Sequence, residues 1–378
     1  MRKKILFIDH TPFVGGAQLS LIAHVEELDV DLYEPKIICS ELADGLGLAK
    51  RYADANIPFL QIDMPRLRPY NFKNAKRWWT SAIFLRKVLK EERPDLVVTN
   101  TVRSSLTASV AARLEKIPVC WFIRDFTFPR LLFLLFSLLP EKIIFNANAT
   151  KEYYFAPSKK SEVVHIGRNF HKKLENINKD LILKQRLEWS SPETDLLVGF
   201  VGRLVVWKGA QVLIEAISIL LQRGFSVKAI IMGTGKNQDD DNEAQILKLA
   251  DDLSVADNVI FTGHVDDLVV PMAALDVLAL TSIEPEPFSS AVVDSMLAGV
   301  PVVGTNIGGT PEAIIDNETG FLVCPGDPIE LANALEKLVI DKDLLRSFSL
   351  RGKDRAMKFF TSAVTTCKIE KIYSSIIR

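Results

Sequence analysis

Two cationic side chains stand five positions apart on a glycine-flanked segment in the second half of the chain. The segment runs from Gly202 to Gly209 (GRLVVWKG) and contains Arg203 and Lys208. It follows an apolar run typical of a buried strand, so we expect a loop at the carboxyl edge of a sheet. Arginine and lysine there suit the two phosphates of a nucleoside diphosphate. They could also be ordinary solvated charges, but the flanking glycines and the loop position favour a phosphate site.

A second segment, residues 282–301, combines two carboxylates with the start of a predicted helix. Glu286 and Asp294 flank Ser289 and Ser290, and either serine could cap the helix. Free N–H groups at a helix N-terminus hold hydroxyl or phosphate oxygens, and a carboxylate accepts two hydrogen bonds from vicinal hydroxyls. The segment therefore predicts a site for a sugar or a ribose.

Two glycine-containing turns give weaker signals. Gly15 and Gly16 follow the first apolar run and precede a helical pattern, so bare N–H groups and a helix N-terminus could meet an anion there. Residues 232–236 (MGTGK), which include Gly233, resemble part of a phosphate loop but lack the spacing of a P-loop ATPase. A simple turn explains either segment equally well.

The five histidines and four cysteines show no spacing typical of a metal site or of a disulfide framework. We therefore predict no metal, structural histidines by default, and a reducing cytoplasmic environment. The apolar run after Met1 is too short for a signal-peptide core and predicts a first strand instead.

Short apolar runs alternate with helical periodicity along most of the chain. In the first half they predict strands over 5–9, 36–40, 96–100, 119–123 and 142–146, and helices over 18–28, 75–92 and 104–115. After a polar interval, 171–195, they predict strands over 196–201, 226–232, 259–261, 277–280, 301–303 and 320–323, and helices over 210–222 and 329–340. This alternation is typical of α/β domains with mostly parallel sheets.

The length of 378 residues exceeds what one core usually organises, while 48% hydrophobic and 25% charged residues are ordinary globular values. We predict two doubly wound, Rossmann-like domains, residues 1–171 and 172–360, facing across a cleft, and a C-terminal helix, 361–378, that returns to the first domain. A net charge of −1 gives no argument for a polyanionic partner. Residues 1–171 nevertheless hold 25 basic and 18 acidic side chains, so the first half is basic.

Together these segments resemble the family 4 retaining glycosyltransferases of the GT-B fold, which have an N-terminal acceptor domain and a C-terminal nucleotide-sugar domain. The resemblance covers essentially the whole chain, and its motifs are specific as a set but weak singly. They are Gly15–Gly16, the GRL…KG segment 202–209, the EPF element from Glu286 to Asp294, the AGVPVVGT segment 298–305 and the GGTPE turn 308–312.

The resemblance implies roles for the matching residues. Arg203 and Lys208 would neutralise the departing nucleoside diphosphate, so that neither a divalent metal nor another cofactor is required. Glu286, with the backbone N–H groups of Phe288 and Ser289, would hold the donor sugar. The donor would be a nucleotide sugar, and a UDP-sugar is the commoner choice.

Further donor-binding residues follow from the same resemblance. Gly16 would approach the diphosphate from the first domain, Asp294 would bind the ribose hydroxyls, and His264 and Val265 would lie near the nucleotide base. The remaining donor-binding candidates are Gly15, Gly202, Gly233 and Ser290.

Three departures from the family pattern bear on the chemistry. Asp294 replaces the usual glutamate and is one methylene shorter. Arg124–Asp125 stands where a His–Asp pair is common, and Ile166–Gly167 replaces Asn–Gly. Arginine stays charged and cannot act as a general base near neutral pH. As a candidate catalytic residue, Arg124 would therefore contact a donor oxygen or an anionic acceptor, or it would merely pair with Asp125.

Two segments of the first domain bear on the acceptor. Residues 66–79 (RLRPYNFKNAKRWW) mix basic and aromatic side chains, and residues 131–139 (LLFLLFSLL) are the most apolar run. Both could rest on an anionic membrane at the inner face of the plasma membrane and reach a lipid-linked acceptor. A buried helix is the favoured interpretation of 131–139 taken alone, and the two tryptophans could anchor a core helix. Nucleic-acid binding is a poor second, so we predict no nucleic-acid partner.

The sequence as a whole predicts an enzyme, a glycosyltransferase that moves a sugar from a nucleotide donor to a hydroxyl of a glycan or lipid-linked saccharide. Two alternatives stay open at this point. One is a nucleotide-sugar epimerase of the same fold, and the other is a non-catalytic sugar-nucleotide-binding subunit, which Arg124 makes credible.

Overall fold

The computed structural model describes residues 2–11, 14–40, 47–62, 64, 72–191, 194–235 and 242–377. The chain divides into two compact units, residues 1–167 with 361–378, and residues 168–360. The predicted domain boundary, after residue 171, lies a few residues later than the observed boundary after residue 167. None of the helices in these described ranges combines the length and the apolar character that a membrane span requires.

The first unit is built on a parallel sheet. Its described strands are β1 (Lys3–Ile8), β2 (Tyr33–Ser40), β3 (Phe59–Ile62), β4 (Leu96–Thr99), β5 (Val119–Ile123), β6 (Lys142–Phe145) and β7 (Ser161–Val163). They form one sheet in the order β3-β2-β1-β4-β5-β6-β7, and every neighbouring pair runs parallel. The predicted strands of this half are confirmed within a few residues at their ends, and the edge strands β3 and β7 are additional.

Helices cover both faces of this sheet. They are α1 (Gly16–Glu26), α2 (Leu48–Asp54), α3 (Phe72–Glu92), α4 (Val102–Leu114), α5 (Arg130–Phe136), α6 (Asn148–Tyr153) and the C-terminal helix, α16 (Ser362–Ile376). Because side chains alternate along a strand, Ile5 and Phe7 pack with α1, α2 and α16, whereas Leu6 and Ile8 pack with α3, α4 and α5. The continuous apolar strands are therefore buried on both sides, as parallel sheets require.

The second unit repeats this architecture. Its described strands are β8 (Leu196–Val201), β9 (Val227–Met232), β10 (Val259–Gly263), β11 (Val277–Leu280), β12 (Val302–Thr305) and β13 (Gly320–Val323). The order is β10-β9-β8-β11-β12-β13, again parallel throughout. All six predicted strands of this half are confirmed.

The helices of the second unit complete its two layers. They are α7 (Phe170–Glu175), α8 (Lys179–Trp189), α9 (Ala210–Gln222), α10 (Glu243–Asp252), α11 (Val269–Ala273), α12 (Ser290–Ala298), α13 (Thr310–Ala313), α14 (Pro328–Ile340) and α15 (Lys342–Phe359). The predicted apolar face of α14, which includes Leu331, Leu335 and Leu338, is buried against the sheet and α9. The polar interval 171–195 forms most of α7 and α8. The α/β fold class with two Rossmann-like domains is confirmed.

Candidate active site

The strand order of the second sheet reverses between β8 and β11, and the segments that follow these two strands meet at its carboxyl edge. Ile283 N donates to Trp207 O at 2.8 Å, and Thr281 Oγ1 donates to Lys208 O at 3.2 Å. Such a switch point is where doubly wound sheets bind ligands. The predicted phosphate loop and the EPF element are thus neighbours in the folded unit.

Lys208 and Glu286 form an ion pair at this edge. Lys208 Nζ lies 2.5 Å from Glu286 Oε1, and the Ser282 hydroxyl donates to the same oxygen. The Lys208 side chain is 16% exposed and that of Glu286 is 6% exposed. The structure therefore joins the predicted phosphate-binding cation directly to the predicted sugar-binding carboxylate.

Trp207 brings the second cation to the same place. The Arg203 guanidinium carbon lies 5.6 Å from the centre of the indole ring, and Lys208 Nζ lies 4.5 Å from it. Arg203 is exposed, whereas Lys208 is partly buried. Cations near an aromatic face are held by its quadrupole, so the indole helps to orient both charges.

The backbone of Glu286 is fixed by the GGTPE turn. Gly309 N donates to Glu286 O at 2.8 Å. Gly308 has a φ of +62°, and a Cβ atom there would lie 2.2 Å from Glu286 O. Only glycine fits this left-handed, close-packed position without strain.

The glycines after β8 and β9 pack backbone to backbone. Gly202 N donates to Met232 O at 3.1 Å, and a Cβ atom on Gly233 would lie 1.8 Å from Gly202 O. Gly233 N in turn donates to Gly263 O at 2.8 Å, beside His264. The His264 side chain is 70% exposed, and its Nε2 lies 3.4 Å from an Asp266 oxygen.

The start of α12 lies next to Glu286 in the chain. Ser289 occupies the N-cap position, its side chain makes no capping hydrogen bond, and Ser290 is the first helical residue. Phe288 is buried, and its ring meets the Phe360 ring edge-on at 5.5 Å. The backbone at the start of α12 is thereby anchored by packing.

Asp294, one turn further along α12, already has a partner. Its Oδ1 and Oδ2 accept hydrogen bonds from Arg168 Nε and NH2, each at 2.7 Å. The predicted ribose ligand is therefore occupied on both oxygens in this structure.

A separate polar cluster lies at the carboxyl edge of the first unit. The fully buried Asp9 carboxylate accepts hydrogen bonds from Asn100 Nδ2 at 2.5 Å, Gln18 Nε2 at 2.9 Å and Thr11 N at 3.0 Å. Burial raises the pKa of Asp9, although these hydrogen bonds oppose the shift. Asn100 Nδ2 also lies 3.4 Å from Ala17 O, so the cluster reaches the first turn of α1.

Arg124 belongs to the same cluster. Its NH1 donates to Ala17 O at 3.0 Å, and its guanidinium carbon lies 4.3 Å above the Phe122 ring. Burial lowers the pKa of Arg124 to about 10, and the Asp9 charge opposes the shift, so the group stays charged near neutral pH. Asp125 instead accepts from Thr127 through Oδ1. Arg124 therefore ties the end of β5 to the helix that Gly15 and Gly16 begin.

Cavity size alone does not mark these sites. A cavity of about 670 Å³ lies in the first unit near Asp95, Pro118 and Glu141, the residues that precede β4, β5 and β6. That is the amino edge of the sheet, opposite to Gly15 and Arg124. In the described part of the chain, no group of three or more His, Cys, Asp or Glu residues is arranged to hold a metal ion.

Two family models match the chain in succession. The model described as Glycosyltransferase Family 4 matches residues 14–171, and the model described as Glycosyl transferases group 1 matches residues 182–355. The chain belongs to the family 4 glycosyltransferases. The glycine turn at Gly15–Gly16 lies in the first match, and the GRL…KG, EPF and GGTPE elements lie in the second.

Solved structures show that this family 4 chain has the GT-B fold. The crystal structure of Anabaena HepE in complex with UDP and glucose superposes with a TM-score of 0.85 at 24% identity, and the match covers 99% of this chain and 100% of that one. The predicted GT-B fold is confirmed.

The matches to curated relatives cover about half of the length of this family 4 chain. The capsular polysaccharide biosynthesis glycosyltransferase CapM of Staphylococcus aureus is 27% identical over 184 residues, 49% of this chain and 47% of CapM. A D-inositol 3-phosphate glycosyltransferase of Corynebacterium jeikeium is 33% identical over 197 residues, 51% of this chain and 46% of that protein. The matches thus span about half the length of these relatives.

The candidate acceptor surface of this family 4 chain is only partly described. Residues 66–71 lie outside the described residues, and 72–79 belong to α3. Trp79 is 53% exposed, so the interpretation that both tryptophans anchor a core helix is wrong. On and after α5, Phe133 is buried, but Leu131, Leu135 and Leu138 are 80%, 63% and 68% exposed. The interpretation of 131–139 as a buried helix is therefore wrong for most of its apolar face.

Sequence reasoning missed Asp9, Asn100 and Arg168. Asp9 and Asn100 each end a predicted strand, which is the position where parallel sheets place functional polar groups, so a signal was present. Arg168 had no such signal, because its partner lies 126 positions away. The donor-binding roles assigned to Gly15, Gly16, Gly202, Gly233, His264, Val265, Phe288, Ser289, Ser290 and Asp294 stay predictions.

Proposed function

We propose that this family 4 chain is a retaining, metal-independent glycosyltransferase that uses a nucleotide sugar to glycosylate a hydroxyl of a glycan or lipid-linked saccharide. The observation that carries the proposal is the Lys208–Glu286 ion pair beside Arg203 at the switch point of the second sheet. It combines two cations suited to a diphosphate with a carboxylate suited to sugar hydroxyls.

The reaction replaces one bond at the anomeric carbon by another. The bond from C1 to the diphosphate breaks and its electron pair goes to the phosphate oxygen. An acceptor hydroxyl forms the new C1–O bond and passes its proton to that departing phosphate oxygen. Arg203 and Lys208 stabilise the charge that develops on the diphosphate. Glu286 exchanges part of its contact with Lys208 for the donor hydroxyls, and the configuration at C1 is retained.

A UDP-sugar is the first donor to test. The similar HepE chain was crystallised with UDP and with UDP-glucose. Two relatives bear on the acceptor by name, the capsular polysaccharide biosynthesis glycosyltransferase CapM and the Rhizobium meliloti lipopolysaccharide core biosynthesis glycosyltransferase LpsE. Both names support a glycan or a lipid-linked saccharide as the acceptor.

The exposed leucines of 131–139 and the basic, aromatic start of α3 support a peripheral position on an anionic membrane, on its cytoplasmic side. Leucine side chains enter the acyl boundary, while lysine and arginine stay at the headgroups. A surface of this kind would bring the first unit to a lipid-linked acceptor.

The proposal is tested by acceptor-dependent release of UDP from UDP-sugars, with a glycan extract as acceptor and with and without EDTA. We expect UDP release that EDTA does not reduce, and NMR of the product should show the anomeric configuration of the donor. Lys208→Ala should lower kcat by about 10²- to 10³-fold, because it removes a positive group from the leaving phosphate. Conversion of the UDP-sugar into its epimer, without net release of UDP and without transfer to an acceptor, would favour the epimerase alternative.

The matched control is Lys337→Ala. Lys337 also lies near an aromatic ring of the second unit, 5.3 Å from the centre of Phe321, but it belongs to α14 and not to the carboxyl edge. We expect this variant to retain parental activity. Equal losses in the two lysine variants, or loss of activity in EDTA, would contradict the proposal.

A further inference from the structure

Arg355, on the last turns of α15, donates to two neighbouring carbonyl groups. Its Nε donates to Ala313 O at 2.8 Å and its NH2 donates to Glu312 O at 2.9 Å. Both carbonyls belong to the end of α13, where a helix has no further N–H groups of its own to offer them. A planar guanidinium serves two adjacent acceptors at once, which a lysine ammonium does not do with the same fixed geometry. Arg355 therefore closes the end of α13.

The GGTPE turn leads into α13, and it holds the backbone of Glu286. Gly309 N donates to Glu286 O at 2.8 Å. A Cβ atom on Gly308 would lie 2.2 Å from Glu286 O and 2.7 Å from Glu286 N, so the turn packs closely on that residue. Glu312 N donates to Gly309 O at 3.1 Å, which joins the turn to the helix. A shift of α13 would therefore move the backbone that carries the Glu286 carboxylate.

Arg355 also contacts an aromatic ring that packs on the EPF element. Its guanidinium carbon lies 5.5 Å from the centre of the Phe360 ring. Phe360 is buried, and its ring meets that of Phe288 edge-on, two residues after Glu286 in the chain. A cation near an aromatic face is attracted by its quadrupole. One side chain thus touches both the helix that follows the GGTPE turn and the ring that supports Phe288.

The helix that carries Arg355 is itself fixed to the same part of the second unit. α15 packs along α12, which begins directly after the EPF element. Ser349 Oγ on α15 donates to Gly299 O, at the end of α12, at 2.5 Å. Arg355 is partly buried, so water competes less for its hydrogen bonds than for those of an exposed arginine. The guanidinium is therefore a fixed support.

We infer that Arg355 is a positioning residue, which holds Glu286 in place through α13 and through Phe360. Without the guanidinium, two carbonyl groups at the end of α13 lose their donor, and the GGTPE turn can move relative to Glu286. As far as it concerns the donor sugar, this inference rests on the proposed function. The support of the turn is a property of the fold and can be measured without a donor.

The first test is hydrogen–deuterium exchange, followed by mass spectrometry, on the parent and on Arg355→Met. We expect the Gly309 amide, which donates to Glu286 O, to exchange at least about tenfold faster in the variant, because the turn opens more often. Peptides that contain Gly202, whose amide donates to Met232 O, should exchange at the parental rate. Unchanged exchange at Gly309, or equally faster exchange in both regions, would overturn the inference. If Arg355→Met does not fold, Arg355→Lys replaces it.

The second test is the ratio of the dissociation constants of UDP and of the UDP-sugar that the parent transfers, measured by calorimetry without an acceptor. In the proposed function Arg203 and Lys208 bind the diphosphate of both ligands, whereas Glu286 contacts only the sugar. We expect Arg355→Met to shift the ratio against the UDP-sugar by about fivefold or more, and Arg355→Lys to shift it less. A role in stability alone would leave the ratio of the folded variant unchanged, and that result would overturn the inference.

The matched control is Arg346→Met, the same substitution on the same helix. Arg346 is exposed, and its NH1 lies 3.3 Å from Asp343 Oδ1 within α15. We expect parental exchange at Gly309 and a parental ratio of dissociation constants in this variant, and changes equal to those of Arg355→Met would overturn the inference. If no nucleotide binds the parent protein, the proposed function fails, while the exchange test still supports or overturns the role of Arg355 at the turn.

Discussion

The Lys208 ammonium has two partners of different kinds, and it can exchange one of them for a ligand. An ammonium group carries three N–H donors, of which the Glu286 carboxylate takes one while the Trp207 ring lies beside the charge. The remaining N–H groups can donate hydrogen bonds to the oxygens of a phosphate. Glu286 in turn keeps the Ser282 hydroxyl, so neither side chain of the pair depends on the other alone.

Gly308→Ala should destabilise the second unit and disturb Glu286. The added Cβ would lie 2.2 Å from Glu286 O in a left-handed backbone conformation. We expect a loss of about 1–3 kcal/mol in the free energy of unfolding beyond that of a control glycine, because backbone must shift to relieve the overlap. Urea denaturation measures the loss, and donor affinity should fall with it.

The control is Gly224→Ala, which has a φ of +90° and no atom within 4 Å of the added Cβ. Both variants strain the backbone, so the difference between them isolates the contact with Glu286. Equal losses in the two variants would mean that the GGTPE turn does not hold the carboxylate in place.

At the scale of elements, the C-terminal helix α16 is held on α1 by polar contacts as well as by its apolar face. His24 Nδ1 lies 2.8 Å from Thr366 Oγ1, and its Nε2 lies 3.0 Å from Tyr373 OH. Burial, with a smaller contribution from the Arg124 charge, lowers the pKa of His24 to about 3. The imidazole is therefore neutral in the folded protein at every pH at which an exposed histidine would titrate.

This pKa predicts that the first unit loses stability as the pH falls below about 6.5, the ordinary value for histidine. Between that pH and about 3, the unfolded chain binds a proton that the folded chain does not bind. The free energy of unfolding therefore falls by up to about 1.4 kcal/mol for each pH unit. The raised pKa of Asp9 acts in the opposite sense, because the folded state there binds its proton first as the pH falls. Urea midpoints between pH 7.5 and pH 4.5 measure the net slope.

The control for this slope is His24→Gln, which keeps hydrogen-bonding groups but cannot titrate. The variant retains Asp9, so the difference between the pH slopes of the parent and of the variant is caused by the histidine. An unchanged slope in the variant would show that the acid sensitivity originates elsewhere.

Both edge strands of the second sheet and all central strands were predictable from the sequence, whereas the two edge strands of the first sheet were not. β5, β8 and β11 are short apolar runs between helices, and their bounds follow from composition. β3 and β7 lie at the edges of the first sheet and are only partly buried. β7 has a single apolar residue in its three positions, and β3 is only four residues long, so neither gives a strong strand signal. Loop positions for Arg203 and Glu286 followed from strand ends. The ion pair between Lys208 and Glu286 could not be predicted, because the two residues lie 78 positions apart and only tertiary packing joins them.

At the scale of the whole molecule, charge is distributed unequally between the two halves of the chain. Residues 172–378 hold 21 basic and 29 acidic side chains, against an excess of basic residues before them. Leu131, Leu135 and Leu138 are exposed in the basic half, with Trp79, Ile83 and Phe84 on α3. Exposed apolar side chains in a basic half have the composition of an interaction surface. The sign of the charge selects an anionic partner.

The last prediction is that the protein binds vesicles of phosphatidylglycerol and phosphatidylethanolamine, and binds neutral phosphatidylcholine vesicles weakly. The double variant Leu131→Gln, Leu135→Gln should bind the anionic vesicles at least about tenfold more weakly, because two leucines no longer bury apolar area. Flotation on a density gradient at low and high salt measures the effect, and added salt should weaken binding by the parent. Leu350→Gln on α15 is the matched control, since Leu350 is 67% exposed in the second unit. Equal binding by the parent and the double variant would show that these leucines do not meet the membrane.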